Sequence, residues 1–246
     1  LIKNGIANLT LSGNNTYAGP TALNAGGLIL ASNTALGSGA LNAAAGTTLD
    51  SSTAVALANT VNLAGNLGIL GTADLSLNGL VSGTGGLTKT GAGDLTLNGA
   101  NAYLGGTQLN AGSLTLGNAS ALGSGALAVN GATTLDTNTA LALANNTSLN
   151  AALTVGGSND LSLNGVVDGT GSLTKAGGAN LTLNGANTYS GGTALNAGTL
   201  TLGSTTALGS GALTVGGAAT LANSTPLVLA NAVNLNGDLT VAGSNN

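Results

Sequence analysis

The sequence predicts an all-β chain, a parallel β-solenoid in which short strands stack coil upon coil. Three observations point there: apolar triplets with period-2 alternation, turn residues between them, and an internal repeat of 86 residues. The triplets in the first repeat are Leu9-Thr10-Leu11, Thr21-Ala22-Leu23, Leu28-Ile29-Leu30, Thr47-Thr48-Leu49, Val55-Ala56-Leu57, Val61-Asn62-Leu63 and Leu75-Ser76-Leu77. Leu-Thr-Leu and Leu-Ser-Leu place two apolar side chains on one face of a strand and a polar one on the other. Gly, Asn and Ser clusters between them supply turns. No window sustains a 3.6-residue amphipathic pattern, and the Gly and Thr content opposes helix.

The repeat is read from its rarest residues. Lys3, Lys89 and Lys175 are 86 apart, as are Tyr17, Tyr103 and Tyr189, and these are every lysine and tyrosine of the chain. Ala35-Leu36-Gly37-Ser38-Gly39-Ala40-Leu41 recurs unchanged at Ala121 to Leu127 and at Ala207 to Leu213. The chain therefore reads as a single solenoid of tandem repeats 1–86, 87–172 and 173–246, the last incomplete, as in a window from a longer array. About twelve triplets per repeat, three to a coil, predict coils of roughly 21 residues, four coils per repeat and about eleven to twelve coils in all. A sandwich or closed barrel would want longer strands and a more aromatic core.

Composition narrows function. Of 246 residues only three are Lys and seven are acidic, all Asp; there is no Arg, His, Cys, Met, Trp or Phe, and the formal charge is −4. Without His or Cys there is no ordinary zinc site, no Ser-His-Asp or Cys-His arrangement and no disulfide framework. Three cations make no basic face for nucleic acid or anionic lipid. A hydrophobic fraction of 43% argues against disorder, and the apolar runs fall far short of the roughly 20 residues of a membrane helix. Leu1 to Gly5 does not read as a signal peptide. No cofactor is expected.

The acidic residues are Asp50, Asp74, Asp94, Asp136, Asp160, Asp168 and Asp238. Polysaccharide-cleaving chemistry needs paired carboxylates or a cation beside an acidic cluster. Asp74 and Asp94, about one coil apart, are the pair that could stack, but Asn180 stands where Asp160 would need its partner. The expectation is solvated turn residues, with no catalytic, cofactor-binding or metal residue. Calcium binding of the nonapeptide kind lacks its acidic series, and Gly83-Thr84-Gly85-Gly86 is a coil corner rather than a phosphate loop. Lys3, Lys89 and Lys175 are expected as isolated solubilising charges, or as blocks to mispairing at strand ends. Tyr17, Tyr103 and Tyr189 are expected to pack at a bend rather than to stack on sugars. Asn24, Asn110 and Asn196 are expected in amide ladders between coils. The Asn118-Ala119-Ser120 sequon is a chance product of composition.

Leu173-Thr174-Lys175-Ala176-Gly177-Gly178-Ala179-Asn180-Leu181-Thr182-Leu183-Asn184-Gly185-Ala186-Asn187-Thr188-Tyr189-Ser190-Gly191-Gly192-Thr193, continuing through Leu195 to Leu200, resembles the passenger-associated transport repeat of bacterial autotransporters. The pattern returns from Leu87 to Leu114, and from Leu1 to Leu28, where Ala7 and Pro20 replace glycines. The resemblance implies a right-handed parallel β-helix on a Gram-negative cell surface, exported through a C-terminal barrel. Neither that barrel nor the G-D-S-G motif of the protease subclass is in this sequence. The resulting expectation is a non-enzymatic, extracellular structural or adhesive segment. Its partners would be a host or bacterial surface glycan or protein, or further copies of itself, with no nucleic acid and no membrane insertion by this segment. Filament assembly is the alternative, and ice or flat-surface binding a second, though the outward Ser76, Thr96 and Ser162 make an irregular rank.

Overall fold

The computed structural model describes residues 1–243. It is all-β, a parallel β-solenoid of about twelve turns with about 20 residues per turn. Among the described residues there is no helix, and so none long and apolar enough to cross a membrane. The fold divides into two compact units, Leu1–Ala126 and Leu127–Asn246.

In the first unit three parallel sheets form the faces of the coil. One runs through Ile2–Lys3, Thr21–Leu23, Leu41–Ala43, Val61–Leu63, Val81–Gly83 and Ala102–Tyr103. The second runs through Leu9–Leu11, Gly27–Leu30, Thr47–Ser51, Leu67–Ile69, Leu87–Lys89 and Thr107–Leu109. The third holds Val55–Leu57, Leu75–Leu77, Leu95–Leu97 and Ser113–Leu116. Every triplet singled out in the first repeat lies in one of these strands.

The second unit is built alike. Its sheets comprise Leu127–Val129, Thr147–Leu149 and Val167–Gly169; then Thr133–Thr137, Leu153–Val155, Leu173–Lys175, Thr193–Leu195, Leu213–Val215 and Val233–Leu235; then Leu141–Leu143, Leu161–Leu163, Asn180–Leu183, Gly198–Leu202, Ala219–Asn223 and Leu239–Gly243.

Alternation decides which side faces the lumen. Leu75 and Leu77 are buried while Ser76 between them is half-exposed, and Leu95-Thr96-Leu97 repeats the pattern one coil on. Leu57, Leu77, Leu97 and Leu116 stack as one column, each without solvent exposure. Burying a leucine contributes about 2 kcal/mol, so a column of branched aliphatics fills a narrow lumen without aromatic rings.

Register sharpens the expected period of roughly 21 residues to 20. Val61 pairs Val81, Leu67 pairs Leu87, and Leu153 pairs Leu173, all 20 apart. Offsets of 19 and 21 compensate each other beside the inserted loops: Leu9 pairs Leu28, and Leu28 pairs Leu49. An 86-residue repeat is consequently four coils plus six residues, not a whole number of coils. Counting triplets overestimates the period because the Ala-Leu-Gly-Ser-Gly loop, and in the first and third repeats the Asn-x-Tyr stretch, occupy strand positions without forming strands.

Candidate functional site

The motif residues of the repeat converge on two kinds of corner, and both are spent on the backbone. The first is an asparagine brace. Asn101 is buried; its Oδ1 accepts from the Val81 N–H at 2.8 Å and its Nδ2 donates to the Ala121 carbonyl at 2.7 Å. One side chain thus joins three successive coils. Asn187 does the same between the Val167 N–H (2.8 Å) and the Ala207 carbonyl (2.7 Å), and Asn15 donates to the Ala35 carbonyl at 2.7 Å. The loop beneath each brace interrupts a face, so its backbone groups lack a strand partner; the amide supplies the bonds a ladder would have made.

Two residues on, the tyrosines pack as expected at the bend. Tyr103 and Tyr189 have no solvent exposure, and their hydroxyls bond Thr107 Oγ1 and Thr193 Oγ1 at 2.5 Å; Tyr17, half-buried, bonds Thr21 Oγ1 at 2.8 Å. The fully buried rings of Tyr103 and Tyr189 present no face to a sugar. Burial pushes the phenols of Tyr103 and Tyr189 up to about 12, against a smaller lowering by the threonine bonds. Unfolded phenols ionise near 10, so between about 10 and 12 the unfolded state binds fewer protons and stability falls as pH rises. Each tyrosine is expected to withdraw up to about 2–3 kcal/mol across that window. Alkaline unfolding followed by tyrosinate absorbance checks this, and a Tyr103→Phe/Tyr189→Phe variant should lose most of the dependence.

The loop under the tyrosine explains its unchanging sequence. Gly123 has φ +60°, its neighbour Ser124 donates to the Tyr103 carbonyl at 3.1 Å, and a Cβ on Gly123 would collide with that carbonyl oxygen. Gly37 and Gly209 meet the Tyr17 and Tyr189 carbonyls identically. Gly46, with φ +75°, has open space where a Cβ would stand. Gly46→Ala should therefore cost only the left-handed strain of about 1–2 kcal/mol. Gly123→Ala must in addition push neighbouring coils apart, and thermal unfolding should rank it clearly below Gly46→Ala.

The second corner overturns the expectation for the lysines. Lys89 and Lys175 are fully buried, and Lys3 nearly so. The Lys89 ammonium donates to the Gly91 carbonyl of its own turn and to the Ala111 carbonyl of the next coil at 3.3 Å. A Cβ on Gly71, one coil back, would lie 2.7 Å from Nζ, and one on Gly112 2.8 Å. The cation thus touches turns of three coils, and only glycine leaves it room. Lys175 repeats this with Gly177 and Ala197 (3.5 Å), and Lys3 with Gly5 and Ala25 (3.1 Å). These are internal locks, neither solubilising charges nor guards of strand ends. Desolvation lowers the Lys89 pKa, opposed by the charges of Asp94, Asp74 and Asp50; for Lys175 the opposing charges are Asp136 and Asp160.

Five of the seven aspartates face these lysines: Asp50, Asp74 and Asp94 at Lys89, and Asp136 and Asp160 at Lys175. Asp50 is buried and accepts from the N–H of Ser51 and of Thr72, both 2.9 Å, and from Thr72 Oγ1 at 2.6 Å. Asp136 does likewise with Thr137, Ser158 N–H and Ser158 Oγ. Asp74 and Asp94 do stack, but the link is from the Asp94 N–H to Asp74 Oδ1 at 2.8 Å; Asn180 N–H meets Asp160 Oδ1 at the same distance. A carboxylate that caps the next coil serves equally well whether Asp or Asn follows. Among the described residues no three Asp side chains gather as a metal site would require.

The outer surface carries amide bonds between coils, the expected one at Asn24 among them. Asn24 bonds Asn4 at 2.8 Å, Asn62 bonds Asn42 at 2.8 Å, and Asn184 bonds Asn164 at 2.7 Å. A surface groove of about 440 Å³ beside one ladder, lined by Asn24, Asn42, Asn62, Ser82 and Thr84, contains no carboxylate.

Fold and corners together define a class: a repeat β-solenoid whose polar motif residues close its own coils. A family model described as the passenger-associated-transport-repeat matches residues 1–30, 87–116 and 173–202. The chain is thus built on three copies of that repeat and matches an autotransporter passenger repeat domain. Each matched segment contains the locking lysine, the bracing asparagine and the tyrosine of the bend. Comparison with curated proteins and with solved structures gives no match.

Proposed function

We propose that the chain is a non-enzymatic structural and adhesive segment of a secreted autotransporter passenger, displayed outside a bacterium. The observation that carries this reading is the use of the repeat's own residues. Lys89, Asn101, Tyr103 and Asp50 are turned inward and bonded to backbone or threonine, which suits a load-bearing coil stack rather than a reactive cleft. Solenoid coils are stabilised by their neighbours, so locks that span three coils stiffen the array. Any ligand, whether a surface glycan or a protein, would be met by the outward Thr, Ser and Asn.

The test is display of residues 1–246 as the passenger of an autotransporter translocator. The expected result is a protease-resistant segment reached by antibody on intact cells, which retains bacteria on a glycan or protein array. Retention of the segment inside the cell would overturn the secreted reading. Turnover of a polysaccharide that is lost in Asp74→Asn/Asp94→Asn would overturn the non-enzymatic one.

A further inference from the structure

The 86-residue repeat and the 20-residue coil are out of step, and the mismatch is one face. In the first unit, Ile2–Lys3 lies in the first sheet, whereas the corresponding Leu87–Lys89 lies in the second. Leu9–Leu11 lies in the second sheet and its counterpart Leu95–Leu97 in the third. Thr21–Leu23 and Thr107–Leu109 step from first to second in the same way.

The second unit repeats the step independently. Leu127–Val129 and its counterpart Leu213–Val215 occupy successive sheets, as do Thr133–Thr137 and Ala219–Asn223. The cause is arithmetic. Strands on adjoining faces start six residues apart at Val55, Val61 and Leu67, and six residues is what 86 leaves after four 20-residue coils.

We infer that the repeat is a phase device: each successive copy turns its outward residues, its brace and its lysine lock one face further round the coil. Residues that correspond between repeats consequently never form a row along one side. Within the first unit the outward column through Ala22 continues to Asn42, Asn62, Ser82 and Ala102. Gln108, the counterpart of Ala22, instead belongs to the column through Gly68 and Thr88.

The kind of partner follows. Outward threonines do stack from coil to coil, as at Thr134, Thr154 and Thr174, but residues that correspond between repeats do not share that plane. A partner that reads the repeat itself therefore engages one copy at a time, approaching from a different side at each. The interrupted faces are also distributed: the Gly37 loop breaks the stack before Val55–Leu57 in the third sheet, and the Gly123 loop follows Ala102–Tyr103 in the first.

Paired spin labels on the full chain test this through two pairs in the first unit. Labels at Ala22→Cys and Ala102→Cys, four coils apart on one face, should read close to the axial separation of about 19 Å. Labels at Ala22→Cys and Gln108→Cys should read longer by on the order of 10 Å, because they leave different faces of the coil. Equal distances for the two pairs would mean that 86 residues make a whole number of coils, and would overturn the inference.

Discussion

Replacing Asn101 by Ala is expected to cost about 2–5 kcal/mol. The substitution strips partners from two buried backbone groups, the Val81 N–H and the Ala121 carbonyl, and each unpaired buried group costs about 1–3 kcal/mol. The Ala121 carbonyl keeps only a long contact of 3.5 Å from the Tyr103 hydroxyl, and Asn187→Ala, which strips the equivalent pair at Val167 and Ala207, should be at least as severe. Asn184→Ala is the control. Its side chain also bonds across coils, to Asn164, but on the exposed surface, where water replaces the lost partner and the cost should stay below about 1 kcal/mol. Amide hydrogen exchange distinguishes the two: Val81 should lose protection in Asn101→Ala. Equal effects of the two substitutions would mean that the brace adds nothing beyond a surface ladder.

Lys89→Met is the second large effect. Methionine keeps an apolar stem but removes the donor shared by the Gly91 and Ala111 carbonyls and leaves Asp50, Asp74 and Asp94 without the cation they face. Two opposing magnitudes meet here. Burying an ammonium costs several kcal/mol, and buried ion clusters replaced by apolar groups are often no less stable. At Lys89, however, the bonds lost are to backbone carbonyls in turns that no strand pairing can satisfy. A net loss of about 2–4 kcal/mol is expected. It should be local, with exchange accelerated at the turns around Gly71, Gly91 and Gly112. A gain in stability would mean that desolvation outweighs the bonds.

Much of the coil is legible in the sequence because its signal is local. Leu75-Ser76-Leu77 declares a strand with one buried face, and the stacking of Asp74 under Asp94 follows from their 20-residue spacing. The tyrosines read correctly as packing residues because a ring in an Asn-x-Tyr-x-Gly turn has a bend to fill. What escapes is what depends on carbonyls far away in sequence. A lone lysine in a chain with few charges reads as a surface residue; its partner at Ala111 is 22 residues on, and nothing in the Leu-Thr-Lys triplet announces it. Asn101 hides among the more numerous ladder asparagines such as Asn24. Its signal is a coincidence of spacing: Asn101 stands 20 residues, one coil, before Ala121 of the unchanging loop, and the pair recurs at Asn187 and Ala207. The face-to-face step is hidden from a count of triplets, since the brace and loop fill strand positions without strand sequence.

Parallel stacking at a 20-residue step, on which all of these effects rest, has a direct test in a chain that contains no cysteine. Ser76 and Thr96 are opposed Cα partners in neighbouring coils, about 4.8 Å apart as adjacent strands are, inside the range a disulfide spans. A hairpin turning at Asn78-Gly79 would instead place Ser76 opposite Val81. Under mild oxidation the solenoid predicts a disulfide in Ser76→Cys/Thr96→Cys and none in Ser76→Cys/Val81→Cys. The reverse pattern would contradict it.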